Sequence, residues 1–115
     1  MGSRMKRSKV RCAALAPLLA LSITAQAETS VAQAGATKSA PCRACHGPNG
    51  IATLPDAPNL AGQNPVYVER VLKEYRSGTR RNEVMSVTAK NLTDEDIRDL
   101  AMYYASIEIV VKTPQ

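Results

Sequence analysis

Residues 39–50 read SAPCRACHGPNG, and they restrict the fold more than any other stretch of the chain. Cys42 and Cys45 stand three apart, and His46 follows at once. On one helical turn, side chains at i and i+3 point the same way, so two sulfurs and an imidazole gather in one small volume. The whole chain has three cysteines and one histidine, so its only imidazole is committed here. The rest of the sequence is poor in core-building side chains, with no Phe, no Trp and four Tyr in 115 residues. Aromatic side chains carry the largest burial areas, and a domain this small is marginal without a staple. A group other than side chains is therefore expected to complete the core.

The net charge of +5 would ordinarily suggest an anionic partner such as nucleic acid. The first 27 residues remove that reading. They carry a basic front, an apolar run over Cys12–Ile23, and then Ala25-Gln26-Ala27, the three-part layout of a secretory signal with small residues at the cleavage point. The apolar run is too short to span a bilayer, and no second one follows. Arg4, Lys6, Arg7, Lys9 and Arg11 all lie in this leader, and without them ten basic residues face ten acids. The expected mature chain, 28–115, is thus formally neutral, has no integral membrane segment and shows no nucleic-acid signature. Cys12 leaves with the leader and lacks the small-residue context of a lipid-attachment cysteine. Met5 is an alternative start, with residues 1–4 an upstream extension.

Along 28–115 the periodicities are helical and no alternating strand pattern occurs, so the fold class is all-α with three to four helices. An alanine-rich helix is expected over 28–40, ending near Pro41. The Gly- and Pro-rich segment 47–63 reads as an ordered loop. Over 64–78, Asn64 caps a helix, Pro65 suits its first position and Gly78 its end, while Val68, Val71, Leu72 and Tyr75 mark its buried face. Segment 79–91 lacks a clean period and reads as a loop with at most a turn of helix. Thr93 then caps a last helix whose first turn holds Asp94, Glu95 and Asp96, and whose inner stripe is Ile97, Leu100, Ala101 and Tyr104.

Cys-x-x-Cys-His is the arrangement that attaches haem covalently, each sulfur adding to one vinyl group and the adjacent histidine binding iron. Haem is also a large apolar disc, which supplies the missing core. Three other readings fit less of the pattern. A Cys42–Cys45 disulfide ignores His46. A zinc site needs four ligands as a rule, and 28–115 offers two cysteines and one histidine. A thioredoxin-like pair wants a strand–helix context that is absent. For a second iron ligand there is no further histidine, and a methionine sulfur is the usual alternative. Met85, in the irregular segment, is free to reach a cavity. Met102 falls away from the inner stripe of the last helix and reads as a partly exposed filler.

With "CRACHGPNG", "PNLAGQNPVYVERVLKEYRSGTR", Met85 and "LTDEDIRDLAMYYASI" in this order and spacing, the chain resembles the class I c-type cytochromes over residues 31–107. Within them it is similar to the short bacterial periplasmic kind, one repeat of the c-four type diheme proteins. The resemblance implies a small cytochrome c fold around one covalent haem c cycling Fe(III)/Fe(II). It implies thioether bonds at Cys42 and Cys45, His46 and Met85 as iron ligands, and Pro58 as the carbonyl that accepts from the ligand histidine. It also implies that Gly35 lies where the first helix crosses the last, near Tyr103 or Tyr104. Two positions depart from the pattern: Lys38 stands where an aromatic is common, and Pro41 directly precedes Cys42.

The function expected on this basis is periplasmic one-electron transfer, with no enzymatic step and with transient docking to a donor and an acceptor protein. Alternatives are an electron-entry subunit of a larger oxidoreductase, or a haem enzyme or sensor if Met85 is not a ligand. Basic residues at 70, 73, 76, 80 and 81 and acids at 94–96 and 99 suggest steering by charge asymmetry, and Arg80 or Arg81 is a candidate partner for a haem propionate.

Overall fold

The last helix forms where its capping signals predict. Asp94–Ala105 is helical, and the Thr93 hydroxyl accepts from Asp96 N–H while the Asp96 carboxylate accepts from Thr93 N–H, a reciprocal capping box. In the computed structural model, which describes residues 2 and 20–114 and their side chains from Ala27 onward, this is helix α5. Before it come α1 (Ala20–Lys38), a 3-10 turn (Ala40–Cys42), α2 (Arg43–His46), α3 (Pro65–Ser77) and α4 (Glu83–Ala89). No strand occurs among the described residues. The all-α expectation holds. Among the described residues the α-helices number five, because the motif turn and α4 are each helical in their own right. Most of the expected leader lies outside the described residues, and no described helix is long and apolar enough to cross a membrane.

α1 starts at Ala20, eight residues before the expected start at 28, and stops at Lys38 as Pro41 approaches. It packs along α5, and α3 packs on α5 and α4. The α1–α5 approach depends on Gly35: a Cβ there would lie 1.9 Å from Asp99 O and 2.6 Å from Tyr103 Cβ. The buried centre of this crossing is the α5 stripe Ile97, Leu100, Ala101 and Tyr104, each at most 2% exposed.

At Lys38, the position that departs from the aromatic pattern, an ionic contact joins the two helices. Its Nζ lies 2.7 Å from Asp99 Oδ2 and 2.9 Å from Asp96 Oδ1. Asp99 is nearly fully buried, and it holds the Lys38 ammonium well above the usual lysine range, with Asp96 adding to the effect. The Lys38 contact, followed by the Thr93 hydrogen bonds, lowers the Asp96 carboxyl to about 2.

Segment 79–91 differs from the expected loop. Asn82 Oδ1 accepts from Val84 N–H and Met85 N–H, so a side-chain cap starts α4 without a long apolar period behind it. The expected charge asymmetry is also largely consumed by pairing. Arg70 reaches Glu74 at 2.8 Å, Lys73 reaches Glu69 at 3.5 Å, and Arg76 reaches Asp94 at 2.6 Å. Acids interleaved four residues from the bases within α3, and the closeness of α3 to the start of α5, neutralise what looked in sequence like a basic block.

Candidate functional site

The motif turn is built on one buried hydroxyl residue. Ser39, fully buried, donates its backbone N–H to Gly35 O, and its own carbonyl accepts from Cys42 N–H at 2.9 Å and Arg43 N–H at 3.2 Å. Arg43 donates Nε–H to Ser39 Oγ and a further N–H to Ala36 O, strapping the turn to the end of α1. The chain leaves α2 at Gly47, whose φ of 79° is the left-handed region and whose added Cβ would lie 1.8 Å from Ile51 O. It then doubles back, with Thr53 N–H on Cys45 O at 3.1 Å and Ala52 N–H on Asn59 Oδ1 at 2.8 Å.

That return carries Pro58 to the histidine. His46 Nδ1 lies 2.8 Å from Pro58 O. A carbonyl oxygen only accepts, so Nδ1 carries the proton and Nε2 keeps its lone pair. The ring is 6% exposed, and this bond fixes its tautomer and orientation. Cys42 and Cys45 are free thiols, and among the described residues no group of three or more His, Cys, Asp or Glu is arranged so that it could hold a metal ion.

Both cysteines and His46 line one cavity, with about 190 Å³ of water-accessible space. Its other walls are mostly apolar, with the polar Lys38, Arg80 and Thr88 among them. Val68, Val71, Leu72 and Tyr75 come from α3, Met85 and Thr88 from α4, Leu100 and Tyr104 from α5, and Leu60 from the loop. Sequence reasoning expected the α3 stripe to be buried, yet only Val68 is; Val71, Leu72 and Tyr75 are half-buried because they face this cavity rather than another helix. Met85 is half-buried at the cavity wall, whereas Met102 is half-buried on α5 and does not line it.

The walls suit a large flat apolar group with a polar rim. The Tyr104 hydroxyl is buried and has no hydrogen-bond partner. Burial, followed by the nearby Cys42 thiol, pushes its pKa well up, although the two groups are not in hydrogen-bonding geometry. Burial likewise raises the Cys42 thiol. Two adjacent sulfurs, a histidine with a free Nε2, a methionine and an apolar slot fit a covalently attached haem better than any other group with those donors.

The comparisons decide the family. The cytochrome c family model matches residues 32–108, which is most of the chain. The chain belongs to the cytochrome c family. Its cofactor is therefore haem c, attached at the Cys42-x-x-Cys45-His46 motif, and its fold is a cytochrome c fold. This cytochrome is 45% identical over 80 residues to cytochrome c-554(548) of Halomonas halodenitrificans, covering 67% of this chain and 96% of that one. It is 38% identical over 95 residues to cytochrome c4 of Pseudomonas aeruginosa, covering 82% of this chain and 47% of the relative. A solved cytochrome c4 of Acidithiobacillus ferrooxidans matches with a TM-score of 0.63 at 33% identity, over 66% of this chain and 49% of the other. The chain thus spans about half the length of these cytochrome c4 relatives and nearly all of the Halomonas protein. Like them, this cytochrome is an electron carrier.

Sequence reasoning had no view of two features of the site. The α4 helix that carries Met85 was legible only through Asn82. The Lys38 contact with Asp99 was concealed because its partners lie 61 residues apart.

Proposed function

We propose that the chain is an exported, periplasmic one-electron carrier in which His46 Nε2 and Met85 Sδ would hold the iron of a single haem. The observation that carries this reading is that His46 and Met85 line the same cavity while Pro58 O holds His46 Nδ1–H at 2.8 Å. When bound, haem c supplies a one-electron Fe(III)/Fe(II) couple.

The protein's own residues do the rest. Pro58 keeps His46 in the tautomer that presents Nε2, and makes that nitrogen more basic. Cys42 and Cys45 would hold the haem through thioether bonds to its two vinyl groups. Val68, Val71, Leu72 and Leu100 exclude water from the slot, and the cap at Asn82 fixes the helix that brings Met85 to its wall. An iron held by both His46 and Met85 would be closed to substrate, which favours electron transfer over catalysis. Partners are redox proteins that dock transiently over a small area. Residues 1–27 act as the export signal and 28–115 form the single monohaem domain.

The test is a visible spectrum of protein matured in cells able to attach haem, followed by acid–acetone extraction. Haem that stays with the polypeptide, together with the ferric methionine-to-iron charge-transfer band, supports the reading. Loss of that band in Met85→Ala, with haem retained, assigns the ligand; persistence of the band in Met85→Ala would sink the assignment. N-terminal sequencing of the exported protein should begin at Glu28.

A further inference from the structure

One polar atom at the cavity is satisfied by nothing in the protein. Among the described residues the Tyr104 hydroxyl is the only buried side-chain polar group without a hydrogen-bond partner, on a residue 2% exposed that lines the cavity. A buried hydroxyl left unpaired is costly to a folded chain. Other polar groups of the wall are already engaged: His46 Nδ1 with Pro58 O, the Thr88 hydroxyl with Val84 O, and Lys38 Nζ with Asp99.

The Tyr104 ring is not free to swing towards water. Its backbone carbonyl accepts from Gly62 N–H at 2.9 Å, which ties this turn of α5 to the loop. The ring edge lies against Gly50, where an added Cβ would come within 3.2 Å of Tyr104 Cδ1. On another side the Tyr103 ring stands 5.0 Å away, centre to centre, tilted by 55°. The hydroxyl is thus held at one place on the wall, and its polar neighbour there is Cys42. After burial, the thiol is what raises the Tyr104 hydroxyl, and the hydroxyl is what lowers the thiol.

Attachment changes what that sulfur can do. A thiol donates and accepts weakly, whereas a thioether has no proton and only accepts. A fixed O–H beside a sulfur that can only accept is a complementary pair. No second unpartnered buried hydroxyl stands ready for Cys45 among the described residues, so the two sulfurs are unequal.

We propose that in the holoprotein the Tyr104 hydroxyl donates to the Cys42 thioether sulfur, which makes Tyr104 the positioning residue for one of the two attachment points. This rests on the haem reading above. The bond engages a lone pair of the Cys42 sulfur and leaves the Cys45 sulfur as it is, so the electronic environment is altered on one side of the slot.

The experiment compares the exported holoprotein with Tyr104→Phe and Tyr103→Phe, with covalent haem confirmed in each by acid–acetone extraction. Denaturant unfolding and the ferric haem-methyl proton resonances are the two readouts. Tyr104→Phe should lower the folding equilibrium constant by about three- to tenfold, the scale of one net hydrogen bond. It should also move the methyl resonance nearest the Cys42 attachment more than the others, while Tyr103→Phe leaves the methyl pattern in place. If the hydroxyl has no partner in the holoprotein, removing it relieves a buried polar group, so a Tyr104→Phe as stable as the wild type or more stable overturns the inference. Lost stability with an unmoved methyl pattern puts the partner elsewhere, a buried water included, and overturns it as well. In the reduced wild type, the Tyr104 hydroxyl proton should exchange slowly with water and show a through-space contact to the Cys42 β-protons. Fast exchange there overturns the inference whether or not the variant attaches haem. All these results leave the haem reading standing; a wild-type protein that holds no haem overturns both.

Discussion

The α1–α5 crossing and the α3–α4 wall bury apolar side chains by different means. At the crossing, protein packs on protein: Ile97 and Ala101 are fully buried, and Gly35 lets the backbones approach too closely for any Cβ. At the wall, Val71, Leu72, Tyr75 and Met85 are half-buried around a cavity. The two regions are edited by different rules. A core made of side chains loses stability in proportion to atoms removed, whereas a wall built around a cofactor loses its reason to be apolar when the cofactor is gone. The cations repeat the contrast, since Lys38 is satisfied by close protein carboxylates at the crossing, whereas Arg80 at the wall has only Glu74 at 4.0 Å from Nη1.

The sharpest way to break the comparison is to remove the attachment. Cys42→Ser combined with Cys45→Ser should abolish covalent haem and cooperative unfolding together, with hydrogen exchange showing α3 and α4 losing protection more than α1 and α5. Equal loss in both regions, by exchange mass spectrometry, would deny the division. At the crossing, Gly35→Val forces a side chain into the Asp99 backbone and should cost about 3 kcal/mol or more, with Ile97→Ala costing about 2–4 kcal/mol, both read by denaturant unfolding of the holoprotein. Neither should move the visible spectrum. Asn82→Ala removes the cap of α4 and should cost about 1 kcal/mol, while weakening the methionine charge-transfer band because Met85 rides on that helix.

The smallest expected effect is acid sensitivity at the crossing. Lys38 and Thr93 hold Asp96 at about 2, below its ordinary 3.8. A folded-state value below the unfolded one means that the stabilisation is fully present above about pH 4 and is lost as pH falls through about 2. Unfolding free energy measured across that window should decline in the wild type and decline less in Asp96→Asn, which has no carboxyl to protonate.

Much of the fold was readable because its signals are local. Asn64, Pro65 and Gly78 bracket α3, and Thr93 with Asp96 starts α5, since caps and left-handed turns are satisfied within four residues of chain. The α4 helix escaped because seven residues are too few to display a period, and its one strong signal, Asn82, stands alone. The early start of α1 escaped because the residues before 28 read as an export signal rather than as part of the domain.

The sequence by itself determined the cofactor chemistry, because two sulfurs and an imidazole on one turn are a short-range arrangement that nothing distant has to complete. It also determined that side chains alone would not fill the core, because composition counts aromatic area without needing coordinates. Tertiary structure alone decided how charges were spent. Lys38 meets Asp99 across 61 residues, Arg76 meets Asp94 across 18, and Arg80 stands at a cavity wall with only Glu74, 4.0 Å away, near its outer nitrogens among the described residues. Ion pairing depends on a few ångströms between side chains from separate helices, and that distance exists only once the helices have packed.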